Sequence, residues 1–159
     1  MPLIIAATGH RPEKLGGYSP EVANRLRLLA HRYLVDNRPE FVISGMALGW
    51  DQAVAVAALL AGIPFVAAIP FRGQESRWPE HSQRAYHELL AQAVKVVDTG
   101  GPGYAVWKMQ KRNEWMVDRA SKLVALWDGS EGGTANCLAY ARKKDKMIEN
   151  LWAEFVSAP

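Results

Sequence analysis

The chain has 159 residues, 22% of them charged and 49% hydrophobic, with 19 Lys and Arg against 16 Asp and Glu for a formal charge of +3. That length suits one domain, residues 1–159, with a sizeable core; the composition excludes disorder, and the charge excess suits phosphate-bearing partners but is too small to mark a nucleic-acid binder. A single cysteine, Cys137, excludes an internal disulfide framework and a multi-cysteine zinc site, and no basic leader or apolar run of ~18 residues is present, so the sequence predicts a soluble, cytoplasmic protein with no membrane partner.

Leu3 to Thr8 is a short apolar run closed by Gly9 and reads as a buried strand, followed by a loop to Ser19. Ser19 and Pro20 form a helix start, serine as N-cap and proline in the first turn, and Val22, Leu26, Leu29, Tyr33 and Leu34 recur at helical spacing until Arg38-Pro39. The unit then repeats: strand Phe41 to Ser44, turn Gly45 to Gly49, and a helix from Trp50 to Ala61 that is apolar nearly all round. Pro64 to Ile69 is a third strand, Pro70 to Pro79 a polar loop, and Glu80 to Ala93 a helix with Ala85, Leu89 and Leu90 inward. Val94 to Val97 is a fourth strand, Gly100 to Gly103 a turn, Val106 to Ala120 a helix and Leu123 to Trp127 a fifth strand. Asp128 to Gly133 is a glycine loop, Thr134 to Lys144 a helix and Met147 to Leu151 a short edge strand. Strands alternating with helices call for an α/β, Rossmann-like, doubly wound and mainly parallel sheet with helices on both faces.

In such a sheet ligands bind beyond the carboxyl ends of the strands, where this sequence gathers its glycine and polar chemistry. Ser44-Gly45-Met46-Ala47-Leu48-Gly49-Trp50-Asp51 joins strand to helix through two glycines, which suits either an anion at a helix N-terminus or a tight turn with Asp51 charging the helix start. Asp128-Gly129-Ser130-Glu131-Gly132-Gly133-Thr134 repeats the arrangement after the fifth strand. His10, Arg11 and Lys14 follow the first strand, placed to meet a phosphate or ribose. Met109, Arg112, Asn113 and Met116 share a helical side whose polar end reaches the same rim. His31, His81 and His87 have no metal spacing and read as structural or solvated, while Gln74 to Pro79 could form a lid in which Trp78 either stacks on a base or anchors the loop.

Thr8-Gly9-His10-Arg11-Pro12, the Ser44 to Asp51 segment, Gln74 to Pro79, Gln110 to Asp118 and Asp128 to Thr134, in this order, resemble the YpsA-like branch of the SLOG superfamily, which joins the Smf/DprA and LOG proteins. The resemblance spans about residues 3 to 140. It implies a Rossmann-like fold that binds or senses a nucleotide or a nucleotide-derived, ADP-ribose-like ligand through Gly9, His10, Arg11, Ser44, Gly45, Met46, Gly49, Asp51, Arg112, Asn113, Asp128, Gly132, Gly133 and Thr134. It requires no cofactor besides the ligand and no metal, and leaves room for a homo-oligomer. LOG enzymes cleave a nucleotide's N-glycosidic bond with an arginine from an Arg-Lys-x-x-Met helix and a glutamate from a Gly-Gly-x-Gly-Thr-x-x-Glu loop. Arg112 and Met116 match the first pattern with Asn113 in place of lysine, and Gly133-Thr134 match the second, but Cys137 stands where the glutamate should be. A cysteine does not replace a carboxylate that stabilises an oxocarbenium-like charge. A glycosidase of this type would use Arg112 as its catalytic residue and a displaced carboxylate, Asp51, Asp118, Asp128 or Glu131. DprA-like binding of single-stranded DNA is the other alternative, and nucleic acid is the less favoured partner because it would need a basic groove built across subunits.

Overall fold

The computed structural model describes residues 2–157. Six strands, β1 (Ile4–Gly9), β2 (Phe41–Ser44), β3 (Phe65–Ile69), β4 (Lys95–Asp98), β5 (Lys122–Leu126) and β6 (Met147–Asn150), form one sheet in the order β4-β3-β2-β1-β5-β6. Every neighbouring pair is parallel, so each crossover carries a helix: α1 (Pro20–Asn37), α2 (Trp50–Leu60), α3 (Glu80–Leu90), α4 (Val106–Arg119) and α5 (Gly133–Lys143), with α6 (Trp152–Ser157) after the last strand. From β1 the chain adds β2, β3 and β4 outward on one side and then returns to lay β5 and β6 on the other. The strand order therefore reverses between β1 and β5, which is where a doubly wound sheet opens a crevice.

The elements follow from their sequences. Ser19 caps α1, its hydroxyl accepting from the Val22 amide at 3.3 Å with Pro20 in the first turn, and the helix ends where Arg38 turns left-handed at φ 49° before Pro39. The α2 helix is hydrophobic on nearly every side because it packs between the sheet and α1, with Trp50 fully buried. Its indole reaches across the sheet to donate to the Val124 carbonyl at 3.3 Å. The core has two halves: Ile5, Val42 and Phe65 face α1, α2, α3 and α6, while Ala6, Ile43, Ala68 and Leu123 face α4 and α5.

Three expectations need correction. Helix α3 stops at Leu90 rather than Ala93, because the amides of Gln92 and Ala93 fold back onto the Leu89 and Leu90 carbonyls and tighten its end. Its inward face is Ser82, Tyr86 and Leu89, and Ala85 is exposed. The fourth strand runs over Lys95–Asp98 rather than Val94 to Val97 and forms one edge of the sheet, with Val94 and Val96 open to solvent. One element was not expected at all: α6 docks Phe155 against α1, where the Arg25 guanidinium covers its ring at 4.5 Å and donates to its carbonyl at 2.7 Å. Among the described residues no helix is long and apolar enough to cross a membrane.

Candidate functional site

A cavity of about 330 Å³ opens at the carboxyl ends of β1 and β5, at the reversal of strand order. Its walls are Thr8, Gly9, His10, Arg11, Glu13 and Lys14 from the end of β1 and the turn after it, Ala47 from the β2–α2 turn and Asp51 from the first turn of α2, Met109, Arg112 and Asn113 from α4, and Glu131 to Thr134 from the loop into α5. The rim expected from the sequence thus converges from four separate segments.

The two glycine turns differ in what they leave free. At α5, Gly132 is the N-cap in a backbone conformation with φ 139° and offers no side-chain cap. Among the described residues nothing accepts from the first-turn amides of Gly133, Thr134 and Ala135, and the first two of these residues line the cavity. Those amides and the partial positive charge of the helix end form a ready anion site. At α2 two of the three first-turn amides are already occupied, Trp50 donating to the His10 carbonyl and Gln52 to the Ala47 carbonyl, each at 3.3 Å.

The first turn is built for close packing. A Cβ on Gly49 would sit 2.6 Å from the His10 carbonyl, one on Gly9 2.5 Å from Trp50 Cδ1, and one on Gly45 2.6 Å from Arg112 Nη1. Ser44 is wholly buried, its hydroxyl donating to the Asp51 carbonyl at 2.8 Å and accepting from the Met46 amide at 3.1 Å. Met46 is buried beside it with φ 64°. Ser44, Gly45, Met46 and Gly49 therefore stand behind the cavity wall and hold it, whereas Gly9 forms part of the wall through its backbone.

Arg112 and Asp51 form the floor, and both are buried. The guanidinium donates through Nη1 to the carbonyls of Gly45 at 2.7 Å and Ala68 at 3.5 Å, and through Nε to Asn113 Oδ1 at 3.0 Å. Arg112 thus ties α4 to the β2–α2 turn and to the end of β3 while one side of it faces the cavity. Burial pulls its pKa down, and the nearby Asp51 carboxylate resists. Burial pushes the Asp51 carboxyl up to about 6, against the pull of Arg112 and of the Ala47 amide. Its Oδ1 is sealed and has no hydrogen-bond partner among the described residues.

At the mouth, two contacts bind the β1 turn to the β5–α5 loop. His10 Nε2 lies 2.7 Å from Asp128 Oδ1, and Lys14 Nζ donates to Ser130 Oγ at 2.6 Å. Hydrogen bonds from the Ser130 hydroxyl and amide, with a smaller contribution from His10, hold the Asp128 carboxyl far below the usual carboxylate range. Asp128 is committed to the loop and lies outside the cavity lining. The edge of the Trp152 ring meets the His10 ring at 6.1 Å, so α6 helps to fix the histidine.

The remaining candidates separate cleanly. Of the four carboxylates considered for a displaced role, Asp51 and Glu131 line the cavity, while Asp118 accepts from the Tyr140 hydroxyl at 2.8 Å on the outer surface of α4. Cys137 is fully buried among Ala6, Ile43 and Met116, with its thiol pushed up to about 11 by burial. Gln74 to Pro79 lies outside the lining: Gln74 donates to the Gly45 carbonyl at 3.2 Å and to the Tyr86 hydroxyl at 3.0 Å, and Trp78 packs edge-on against Tyr86 at 5.2 Å. Trp78 is the loop's anchor. Glu13 joins the lining without having been singled out, as do Thr8 and Ala47, which belong to the Thr8 to Pro12 and Ser44 to Asp51 segments but were not among the expected ligand-binding residues; Thr8 could have been found as the last side chain of β1 before its glycine.

The sequence matches the family YpsA, described as the YspA SLOG family, over residues 5–157. It is 34% identical over 133 residues to the SPbeta prophage-derived protein YoqJ of Bacillus subtilis (strain 168), covering 74% of this chain and 77% of that one. Among solved structures, DNA processing protein A (DprA) from Streptococcus pneumoniae superposes with a TM-score of 0.67 at 19% identity over 92% of this chain, which spans about half the length (49%) of that protein. The molybdenum cofactor carrier protein from Chlamydomonas reinhardtii superposes with a TM-score of 0.60 at 19% identity, covering 93% of this chain and 75% of that one.

Proposed function

Because the chain belongs to the YspA SLOG family, we propose that it binds or senses a nucleotide or a nucleotide-derived, ADP-ribose-like ligand, with a phosphate seated at the start of α5. One observation carries the reading: the uncapped amides of Gly133 and Thr134 open into the same cavity as Arg11, Lys14 and Arg112, so an entering anion meets amide donors and cations together. The two structural neighbours are named for DNA processing and for carrying molybdenum cofactor; at 19% identity they lend the fold and no particular ligand. The reading requires no cofactor beyond the ligand itself and no metal.

Glycosidic cleavage is the weaker alternative because the position of the missing glutamate is taken by Cys137, whose side chain packs in the core with Ala6 and Met116. Binding of single-stranded DNA is weaker still, since Arg112 is buried at the bottom of a cavity rather than displayed along a groove. The test is a thermal-shift panel. AMP, ADP and ADP-ribose are expected to raise the melting temperature well above any effect of adenosine, and ligand at a hundred times its Kd should add about 2.7 kcal/mol. An equal effect of adenosine, or none from any nucleotide, refutes the phosphate site. Incubation with AMP followed by chromatography should release no free adenine; release of adenine by the folded protein would favour the glycosidase.

A further inference from the structure

A carboxylate and an entering anion depend on the same buried cation. Asp51 and Arg112 both belong to the lining and are 7% and 5% exposed, and Asp51 Oδ1 is sealed with no hydrogen-bond partner among the described residues. Sealing removes that oxygen from a ligand's hydrogen bonds but not from a ligand's charge, because inside the fold water screens little. Arg112 donates through Nη1 to the Gly45 and Ala68 carbonyls and through Nε to Asn113, while Nη2 has no partner among the described residues and is the donor left for a ligand. The same guanidinium exerts the strongest electrostatic pull on Asp51.

The other charged and titratable groups around Asp51 do not replace it. Arg11, in the turn after β1, pulls on Asp51 more weakly and is exposed. From α5 the thiol of Cys137 lies within electrostatic reach of Asp51 and Arg112, and from α3 the Tyr86 hydroxyl acts on Arg112. His10, Glu13, Lys14 and Glu131 complete the charged lining. In the empty site an ionised Asp51 has Arg112 to itself. An anion that takes Nη2 sets a second negative charge beside that arginine, and a buried carboxylate with a like charge nearby holds its proton more firmly. The neutral acid, even with an unpartnered oxygen, costs far less to bury than the ion.

Resting on the phosphate-site reading above, we propose that the cavity takes up its anionic ligand together with a proton, which passes from solvent to the Asp51 carboxylate, so that occupancy falls as pH rises past neutrality. Binding and protonation are then linked: the ligand favours the acid form of Asp51, and the acid form favours the ligand by the same factor. A bound anion that shifts the Asp51 equilibrium by about one pH unit binds the protonated chain about tenfold tighter than the ionised one. Starting from the value of about 6 in the empty protein, affinity should be about fivefold higher at pH 6 than at pH 8.

Calorimetric titration of the full chain with ADP-ribose and with inorganic sulfate, between pH 6 and pH 8, tests this. Neither anion gains a proton over that range, whereas the phosphate monoester of AMP titrates near 6 and would confuse the count. Repeating the titration at pH 7 in buffers of different ionisation enthalpy counts the protons bound, and about 0.4 per ligand is expected. In Asp51→Asn the uptake should vanish and affinity at pH 8 should rise about tenfold; Asp51→Ser serves the same purpose should the asparagine variant fail to fold. Both variants leave His10 in place, so they assign the proton to Asp51 or away from it. If an anion binds without proton uptake and equally at pH 6 and pH 8, or the uptake survives both substitutions, the role of Asp51 is overturned and the phosphate site stands. Absence of binding by both anions at every pH overturns both readings.

Discussion

Asp51→Asn is expected to stabilise the empty protein at neutral pH, although it removes a charge from beside a buried arginine. The Asp51 carboxyl moves from an ordinary 3.8 to about 6 on folding, a value that already contains the pull of Arg112. A group whose pKa is raised by folding binds its proton more tightly in the native state, so its contribution is fully present below pH 3.8 and is lost as pH rises through 6. At 1.36 kcal/mol per pH unit the loss is at most ~3 kcal/mol above that window. Asparagine keeps the shape of the protonated acid and never ionises, so the variant should gain between about 1 and 3 kcal/mol at pH 7.5 and nothing near pH 4. Urea unfolding followed by tryptophan fluorescence, in buffers free of phosphate, measures the difference at several pH values across this window. A difference that does not change with pH would show that the burial of Asp51 costs nothing. A variant less stable at pH 7.5 would show that ionised Asp51 and Arg112 form a net favourable pair.

Arg112→Ala should unfold early, losing about 3 to 5 kcal/mol in urea titration, because it leaves Asp51 without its buried counter-charge and the Gly45 and Ala68 carbonyls without their donor. A loss of ligand affinity with stability intact would show the arginine to be a free rim group instead. Gly133→Pro should change stability by less than about 1 kcal/mol, since proline suits the first position of α5. By removing one of the open amides it should nevertheless weaken nucleotide binding about tenfold in calorimetry; unchanged affinity would place the phosphate elsewhere. Native Cys137 should resist alkylation at pH 8 and react once the chain is unfolded, because it is wholly buried with its thiol pushed up to about 11. Rapid labelling of the folded protein, followed by mass spectrometry, would contradict that burial.

Much of this architecture is legible in the sequence because the first three strands are short apolar runs bounded by glycine or proline, and the later strands follow by alternation with helices of clear periodicity. The sixth helix escaped because Trp152 to Ser157 is one short segment whose order comes from Phe155 meeting Arg25 of α1, a contact 130 residues away in the chain. The exposure of Val94 and Val96 escaped for a related reason: which strand lies at an edge is a property of the sheet order, and a valine run reads the same in either place.

The glycines show a subtler limit. Gly45 and Gly132 are equally conspicuous between a strand and the helix that follows, yet the space next to Gly45 is filled by the Arg112 guanidinium while, among the described residues, nothing lies within 4 Å of where a side chain on Gly132 would begin. One glycine admits a neighbour and the other leaves helix amides open, and only the fold distinguishes them. Because Gly45 lets Arg112 approach, the arginine donates through Nη1 to the Gly45 carbonyl, and beside it Asp51 keeps a sealed Oδ1 without a partner among the described residues. The turn that stabilises the sheet thus creates an unsatisfied carboxylate on the cavity floor. A chain selected for stability alone would replace that acid with its amide, which is the reason Asp51→Asn is expected to raise stability where the acid would ionise.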